Sequence, residues 1–334
     1  MSDDPFLPRF EQIASLIGSH RRFLVLGHVD PDGDCLGSVL ALAQYLVALG
    51  KEVACFAPGE IPDVYTKLPA YELFVHETHL QSFGAEVVFS LDVPTMKRTT
   101  DFIAPDNGLT VVNIDHHPTN EQYGDINVVD EKAAATAVLM YRLLAAIAPG
   151  MITAEMADCL FVGILLDTGG FRFQNTNAEA FATAALLVEL GARSNELTHE
   201  FIHAKKHSTL KLLSMALESI EIHSKGRVAT MELSSEMVRQ SGGSLGDTEG
   251  FIDYAGAIDG IELCALFREI DPGRVRVSLR ARNDHDVAAI AERYGGGGHR
   301  SAAGLVIEGD LSTAKSRLAH DLEQLLDPTD PRVR

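Results

Sequence analysis

The chain of 334 residues has 47 acidic and 28 basic side chains, so its formal net charge is -19 at pH 7. Its 46% hydrophobic content is ordinary for a chain that buries a sizeable core, and its length is sufficient for two domains. The acidic balance excludes tight, sequence-independent binding of long duplex nucleic acid, because such binding neutralises many phosphates with Lys and Arg. A short or mononucleotide ligand, held by a few local basic residues, is compatible with this charge.

The cysteine spacing and the N-terminal sequence indicate the cellular compartment. Four cysteines without a CxxC pair predict neither a thiolate zinc site nor a disulfide framework. The first ten residues, MSDDPFLPRF, lack the basic and apolar segments of a signal peptide, and no run of about 18 apolar residues occurs. We therefore expect a cytoplasmic protein without a membrane partner.

The first half of the chain alternates short β-rich runs with helical patterns. The predicted strands are RFLVLG (22–27), EVACFA (52–57), EVVFSLD (86–92) and LTVVNID (109–115). The run CLGSVLALAQYLVALG (35–50) predicts a helix, and residues 133 to 190 contain three further helical patterns. This alternation is typical of a parallel sheet covered by helices.

The second half predicts a smaller α+β domain. Residues 199–220 predict a connecting helix. Predicted strands follow at 226–233, 261–270 and 273–282, and predicted helices at 286–294 and 311–326. We therefore predict the α/β class, with a parallel-sheet domain over 1–192, a helical linker over 193–218, a smaller α+β domain over 219–327 and a tail over 328–334.

Histidine and aspartate side chains cluster where the predicted strands end. The segment GHVDPDGDCLGS follows the first strand, Asp92 ends the third, DHH ends the fourth, and Asp167 ends an apolar helix. The candidate site residues are His28, Asp32, Asp34, Asp92, Asp115, His116, His117 and Asp167. Asp30 is expected to be a turn residue. Loops at the carboxyl ends of parallel strands converge on the ligand crevice. Imidazoles mixed with carboxylates suit first-row divalent ions, and their number is enough for two ions that share one carboxylate.

A glycine-rich stretch, YGGGGHRSAAG (294–304), is the strongest substrate-binding signal in the second half. Glycines let a backbone approach a ligand closely, and consecutive N–H groups can bind phosphate, although four glycines alone more often form a flexible loop. The candidate substrate contacts are Gly296, Gly297, Gly298, His299, Arg300, Arg268, Ser278 and Arg280. Arg172, in GGFRFQNT, is a further candidate phosphate contact, and its alternative is an ordinary surface arginine.

These motifs resemble those of the DHH phosphoesterase superfamily. GHVDPDGDCLGS, LDVP, IDHHPTN and LLDTGGFRFQNT are similar to its four motifs, and YGGGGHRSAAG is similar to the glycine-rich motif of the DHH-associated substrate domain. The combination resembles the nanoRNase and pAp phosphatase group. The resemblance implies that 1–192 is the metal-binding catalytic domain and that 219–327 is the DHH-associated substrate-binding domain.

The resemblance also implies a role for each site residue and two divalent metal ions, with Mn2+ as the usual cofactor. One ion would be held by His28, Asp32 and Asp92, and the other by Asp34, Asp92, His116 and Asp167, so that Asp92 is the bridge. His117 would face the scissile phosphate, and Asp115 would orient the histidines. His299 and Arg280 would contact the phosphate or terminal nucleotide of the substrate.

The activity implied by the resemblance is hydrolysis of short RNA or DNA oligonucleotides, of about two to five nucleotides, to mononucleotides. Hydrolysis of 3′-phosphoadenosine 5′-phosphate (pAp) to AMP is implied as a second activity. One alternative is a phosphodiesterase for cyclic or linear signalling dinucleotides. Another alternative is a non-catalytic nucleotide-binding regulatory protein. The presence of every expected metal ligand argues against this alternative. A homodimer is left open.

Overall fold

The computed structural model describes residues 4–99, 108–283 and 285–326 of the chain. The chain divides into two compact units, Met1–Ala204 and Lys205–Arg334. This division falls inside the segment 193–218 that the sequence assigns to a linker, and the expected tail 328–334 lies outside the described residues. Among the helices in these described ranges, none is both long and apolar enough to cross a membrane.

The described part of the first unit is built on a five-stranded parallel sheet. Its strands are β1 (Arg22–Leu26), β2 (Glu52–Phe56), β3 (Val87–Leu91), β4 (Thr110–Asp115) and β5 (Ile126–Val129), in the order β2-β1-β3-β4-β5. The four predicted strands and the parallel sheet are confirmed. Strand β5 was not predicted, because it has only four residues and one fully buried position, which gives no clear period.

Helices pack against this sheet, most of them on one of its faces. They are α1 (Leu7–Ser19), α2 (Gly33–Ala48), α3 (Leu80–Phe83), α4 (Thr136–Ile147), α5 (Ala154–Asp167), α6 (Ala178–Glu189) and α7 (Ser194–Thr198). Phe23 and Val25 belong to the large core cluster that includes α2, α4 and α5, whereas Leu24 and Leu26 belong to the cluster on the opposite face. Both faces of the strand are buried, as a parallel sheet requires.

The strand order places the expected site at one edge of the sheet. Strand β1 pairs with β2 on one side and with β3 on the other, so the order of the strands reverses between β1 and β3. In an open parallel sheet, the crevice at the carboxyl ends of the strands beside such a switch point is the usual ligand site. The segments that follow β1, β3 and β4 contain the candidate metal ligands except Asp167, which ends α5.

The second unit contains a mixed sheet. Its strands are β6 (Glu221–His223), β7 (Val228–Leu233), β8 (Leu263–Asp271), β9 (Arg274–Ala281), β10 (Gly297–His299) and β11 (Ala302–Glu308). Its helices are α8 (His207–Glu218), α9 (Ser235–Ser241), α10 (Phe251–Gly256), α11 (Val287–Arg293) and α12 (Leu311–Leu326). The strand order is β10-β11-β9-β8-β7-β6, with β7 and β8 parallel and the other pairs antiparallel. The smaller α+β domain is confirmed.

Two predicted elements of the second half differ from the structure. The stretch 199–220 is not one helix, because a π-helical turn over His199–His203 is separated from α8 by the non-helical residues 204–206. The glycine-rich motif is partly regular, since Gly297–His299 forms the short edge strand β10 against β11.

Candidate active site

Asp92 lies at the centre of the side chains that converge on the carboxyl ends of β1, β3 and β4. It follows β3 with a φ of 61°, and its side chain is 2% exposed. Its Oδ2 lies 3.4 Å from His28 Nε2, and its Oδ1 lies 3.7 Å from His116 Nε2. A non-glycine residue in the left-handed region costs roughly 1–2 kcal/mol. This conformation directs the carboxylate of Asp92 between the two imidazoles.

The loop after β1 supplies His28 and Asp32. The Nδ1 of His28 lies 2.8 Å from the carbonyl oxygen of Val29, so its Nε2 faces Asp92. Asp32 caps α2 by accepting hydrogen bonds from the backbone N–H groups of Asp34 and Cys35, and its Oδ1 lies 3.9 Å from His28 Nε2. The Asp32 side chain is 54% exposed and lies at the rim of the cluster. Asp30 lies in an exposed turn with a φ of 54°.

Asp34 is fully inside the protein and contacts the N-terminus of α4. Its Oδ2 accepts a hydrogen bond of 2.6 Å from Thr136 N, and its Oδ1 accepts one of 2.8 Å from Ala137 N. Burial, together with the negative charges of Asp92 and Asp167, raises the pKa of the Asp34 carboxyl well above its usual range. A buried carboxyl group whose pKa is raised in this way is a candidate for cation binding.

Asp115, at the end of β4, organises the two histidines that follow it. Its Oδ1 accepts hydrogen bonds from the backbone N–H groups of His116 and His117 and lies 2.7 Å from His117 Nδ1. Asp115 therefore orients the ring of His117 directly. The ring of His116 is oriented instead by the carbonyl of Ala133, which lies 3.2 Å from its Nδ1.

The ring of His117 is protonated more readily than a free imidazole. Burial by itself lowers its pKa, but the hydrogen bond to Asp115 and the negative charge of Asp92 outweigh burial and raise the pKa to about 9. The same contacts act on Asp92 in the other direction. Burial alone would raise the pKa of Asp92, but the hydrogen bond with His28 and the charges of His116 and His117 lower it below its usual range.

Asp167 reaches the cluster from the last position of α5. Its Oδ2 lies 3.6 Å from His116 Nε2 and accepts a hydrogen bond of 3.2 Å from Asn175 Nδ2. Burial raises the pKa of the Asp167 carboxyl to about 7, with a further rise from the charge of Asp92 and an opposing effect from His116.

The donor set fits divalent metal ions. Three overlapping groups place their possible ligand atoms within 4.8 Å of one another: His28, Cys35 and Asp92; Asp92, His116 and His117; and Asp34, His116 and Asp167. Among the described residues, the buried carboxylates of Asp34 and Asp92 have no ion pair with Lys or Arg. Buried carboxylates that are crowded together without Lys or Arg are costly, and a bound cation offsets that cost. His28 and His116 turn Nδ1 to a carbonyl oxygen and Nε2 to a carboxylate, as metal-binding histidines commonly do.

Three residues that support this cluster were not selected from the sequence. Thr136 Oγ1 donates a 3.0 Å hydrogen bond to Asp92 Oδ1. Asn120 Nδ2 donates to Asp115 Oδ2, and Asn175 Nδ2 donates to Asp167. Asn120 and Asn175 lie inside the quoted motifs IDHHPTN and LLDTGGFRFQNT, where a polar amide close to a carboxylate is the available signal. Thr136 begins a helix far along the chain from both of its partners and has no comparable signal.

One face of the sheet of the second unit carries four of the candidate substrate contacts, Arg280, Ser278, His299 and Gly297. Antiparallel pairing aligns Arg280 of β9 with Ala302 of β11, and Ala302 with His299 of β10. The same pairing aligns Ser278 with Gly304, and Gly304 with Gly297. Directly paired residues share a face of a sheet, so Arg280, Ser278 and His299 form one surface.

Arg268 joins this surface from β8. Its Nη2 donates a 2.6 Å hydrogen bond to Ser278 Oγ. Arg276 pairs with Arg268 across the strands and adds a positive charge to this surface. It is not among the candidates named from the sequence, although it lies in the alternating segment RVRVSLRAR. Burial and the charges of Arg276 and Arg280 lower the pKa of Arg268, as expected where several cations crowd together.

The remaining candidates lie in exposed segments. Gly296, Gly298 and Arg300 are exposed around β10. Arg172 is exposed in the first unit, and its Nε donates a 2.6 Å hydrogen bond to the carbonyl of Gly169, within the loop that follows Asp167. The loop that contains Arg172 also contains Asn175, which donates to Asp167.

Comparisons with known proteins agree with this arrangement. Residues 22–164 match the DHH family, N-terminal domain, and residues 225–327 match the DHHA1 domain. The bifunctional oligoribonuclease and PAP phosphatase NrnA of Thermus thermophilus is 35% identical over 300 residues, which are 90% of this chain and 88% of that protein.

Two solved structures share the fold. An exopolyphosphatase-related protein from Bacteroides fragilis is 25% identical with a TM-score of 0.88, and the match covers 98% of this chain and 97% of that chain. Exonuclease RecJ bound to manganese is 15% identical with a TM-score of 0.57, covering 96% and 95% of the two chains. The resemblance inferred from the motifs is confirmed, and the chain belongs to the DHH family of phosphoesterases, in its NrnA group with a second, DHHA1 domain.

Proposed function

We propose that the protein is a two-metal phosphoesterase that hydrolyses short RNA or DNA oligonucleotides, of about two to five nucleotides, to mononucleotides. We propose pAp as a second substrate, with AMP as the product. The observation that carries the proposal is the convergence of imidazoles and buried carboxylates on Asp92. The 35% identity to a protein named oligoribonuclease and PAP phosphatase supports this substrate class.

The proposed metal ligands form two sets that share Asp92. His28 and Asp32 complete one set, and the other consists of Asp34, His116 and Asp167, with Mn2+ as the proposed ion in both. When bound, two such ions lower the pKa of water and neutralise charge that develops on a phosphoryl group. The chain contributes imidazoles whose Nδ1 atoms are held by Val29 and Ala133, so that their Nε2 atoms are presented to the ions.

His117 is the proposed contact to the scissile phosphate. Its Nδ1 is engaged by Asp115, and its Nε2 makes no hydrogen bond to another residue in the described ranges. Because Asp115 engages Nδ1, Nε2 is the ring nitrogen that can hydrogen-bond to a phosphate oxygen. Asp115 is fully buried, so water does not compete for its hydrogen bond with Nδ1.

The second unit is the proposed substrate-binding domain. Arg280 and His299 share one exposed face with Ser278, and Arg268 is held beside Ser278 by a hydrogen bond. Exposed cations on β9, separated from the glycines of β10 by β11, suit the phosphate of one terminal nucleotide better than a long strand. Arg172 is the proposed phosphate contact of the first unit.

Location and assembly are further parts of the proposal. The four cysteines are free and buried in the part of the chain that the structure describes, which agrees with a reducing, cytoplasmic compartment. No membrane partner is proposed. The homodimer left open by the sequence is testable by sedimentation of the purified chain.

The test is an assay of the purified protein with Mn2+ on 5′-labelled dinucleotides, longer oligonucleotides, pAp and cyclic dinucleotides. We expect rapid release of mononucleotides from the shortest RNA and DNA substrates and release of AMP from pAp. Preferential turnover of cyclic dinucleotides would replace the proposal by a signalling phosphodiesterase. Binding of these nucleotides without any turnover, at full Mn2+ occupancy, would support the non-catalytic regulatory alternative.

A further inference from the structure

One residue outside the four motifs contacts both Asp34, which belongs to one set of proposed metal ligands, and Asp92, which the two sets share. Thr136, the first residue of α4, is fully buried. Its backbone N–H donates to Asp34 Oδ2 at 2.6 Å, and its hydroxyl donates to Asp92 Oδ1 at 3.0 Å. Ala135, which precedes the helix, has no side-chain cap. The N-terminus of α4 is therefore satisfied by the carboxylate of Asp34, as a helix N-terminus requires.

The two oxygens of Asp92 have different neighbours. Oδ2 lies 3.4 Å from His28 Nε2. Oδ1 lies 3.7 Å from His116 Nε2 and 3.5 Å from His117 Nδ1, and it is the oxygen that accepts the Thr136 hydroxyl. The torsion that turns a carboxylate is broad and has no sharp intrinsic minimum, so a neighbouring donor must define which oxygen faces which side.

Thr136 is well suited to define that orientation. Its branched Cβ restricts χ1 in a helix, and burial removes water as a competing donor. Its backbone is anchored independently by Asp34, so the hydroxyl position does not depend on the contact with Asp92. Among the described residues, Asp92 has no ion pair with Lys or Arg, so no long basic side chain fixes the orientation of its carboxylate.

We propose that Thr136 is a positioning residue that holds Asp92 with one oxygen toward each of the two metal positions. This inference rests on the proposed metal site and deepens it. Because the hydroxyl contacts Oδ1, its loss acts mainly on the metal position formed by Asp34, His116 and Asp167, whereas the position beside His28 is less affected. Partners that orient metal ligands typically contribute about 10- to 100-fold to metal affinity.

The test is Mn2+ binding, measured by calorimetry without substrate, on the wild type, Thr136→Val and Thr136→Ser. Valine keeps the shape of the side chain and removes the hydroxyl. It leaves the backbone hydrogen bonds from residues 136 and 137 to Asp34 in place. We expect Thr136→Val to bind one Mn2+ almost normally and the second about 10-fold or more weakly. We expect serine, which retains the hydroxyl, to restore the second affinity to within about threefold.

A matched control separates this role from a general effect of exchanging a buried threonine. Thr183, buried in α6, lies outside the carboxylate cluster, so Thr183→Val should leave both Mn2+ affinities unchanged. Electron paramagnetic resonance of Mn2+ should show spin coupling between two ions in the wild type and its loss in Thr136→Val at the same metal concentration.

The outcomes distinguish this inference from the proposed function. A wild type that does not bind two Mn2+ ions contradicts the metal site itself. A wild type that binds two ions, together with a Thr136→Val variant that binds them equally well, overturns the role of Thr136 alone. If Thr136→Val does not fold, Thr136→Ser decides: a folded serine variant that has lost the second ion shows that the hydroxyl is not the group that matters.

Discussion

Asp92 combines a left-handed backbone with a carboxylate that is buried among three imidazoles. Its φ of 61° is unfavourable for a residue with a β-carbon, and its backbone N–H is held by the carbonyl of Ile114 in the neighbouring strand. Strained backbone of this kind persists only where the surrounding structure holds it, and it is typical of functional sites. Here the strain brings one side chain within reach of both proposed metal positions.

The first prediction tests this central role. We expect Asp92→Ala to lower kcat by several orders of magnitude, because both proposed ions lose a ligand. Activity with Mn2+ and the amount of bound manganese should fall together, while circular dichroism reports an unchanged fold. Asp30→Asn is the control, since Asp30 is an exposed turn residue and its loss should cost little. A folded Asp92→Ala enzyme with nearly normal turnover would contradict the proposal that Asp92 is a ligand of both ions.

At the scale of elements, strand β10 shows which glycines serve packing and which do not. A Cβ at Gly296 would lie 2.2 Å from the carbonyl oxygen of Gly304, and a Cβ at Gly298 would lie 2.5 Å from the carbonyl oxygen of Ala302. These two positions exclude a side chain because β11 is too close. A Cβ at Gly297 would meet nothing within 4 Å, so packing does not explain that glycine.

We therefore predict that Gly297→Ala folds normally but binds substrate more weakly. The added methyl group lies on the surface shared with Ser278, where a nucleotide phosphate is proposed to approach the backbone. KM for a dinucleotide should rise roughly tenfold, a loss of about 1.4 kcal/mol, while Mn2+ affinity is unchanged. Gly298→Ala is the matched control and should instead lower the melting temperature. An unchanged KM for Gly297→Ala would remove β10 from the substrate site.

An ion-pair network in the second unit predicts a pH dependence of stability. The Arg227 guanidinium and the His285 ring, which lies 2.7 Å from Glu262 Oε2, lower the pKa of the Glu262 carboxyl to about 2, from an ordinary value of 4.5. A carboxyl whose pKa is depressed in the folded state stabilises the fold fully above pH 4.5, and this contribution is lost as the pH falls toward 2.

The variant Glu262→Gln isolates this contribution. Near pH 7, we expect the wild type to be more stable than the variant by up to about 1 kcal/mol, since the network is partly exposed to solvent. The difference should shrink as the pH falls below about 4.5. Urea unfolding followed by circular dichroism at several pH values measures it. A difference that grows toward low pH would contradict the network.

At the scale of the whole molecule, charge is distributed unevenly. The chain has a net charge of -19, yet Arg268, Arg276 and Arg280 lie together on one face of the second sheet. A terminal nucleotide can be bound by so small a basic surface. Additional phosphates of a long strand would meet a largely acidic protein, and few counterions would be released on binding.

This distribution predicts a preference for short substrates. We expect kcat/KM to be higher for a dinucleotide than for a single-stranded 24-mer, with only a modest dependence on salt. Parallel assays of both substrates across a salt series measure the two quantities. Faster degradation of the long strand, with an advantage that collapses as salt is added, would reveal an extended basic surface and favour an exonuclease.

Local sequence patterns are sufficient to identify the family, the parallel sheet of the first unit and the α+β class of the second. These properties follow from local patterns, namely apolar runs such as RFLVLG and polar motifs placed directly after them, which are visible within a few residues. Short or irregular elements escaped this kind of reasoning. Strand β5 has four residues, and the interruption at 204–206 lies inside an otherwise helical pattern.

The contacts that hold the site together depend on how distant parts of the chain pack. Thr136 lies 102 positions from Asp34 and 44 from Asp92, and Arg276 acts on Arg268 through strand pairing. No local pattern encodes such contacts, because they depend on how α4 and the strands pack. The distinction between Gly297 and its neighbours is decided in the same way. All four glycines look alike in the sequence, but Gly296 and Gly298 lie too close to β11 to carry a side chain, and Gly295 has a positive φ.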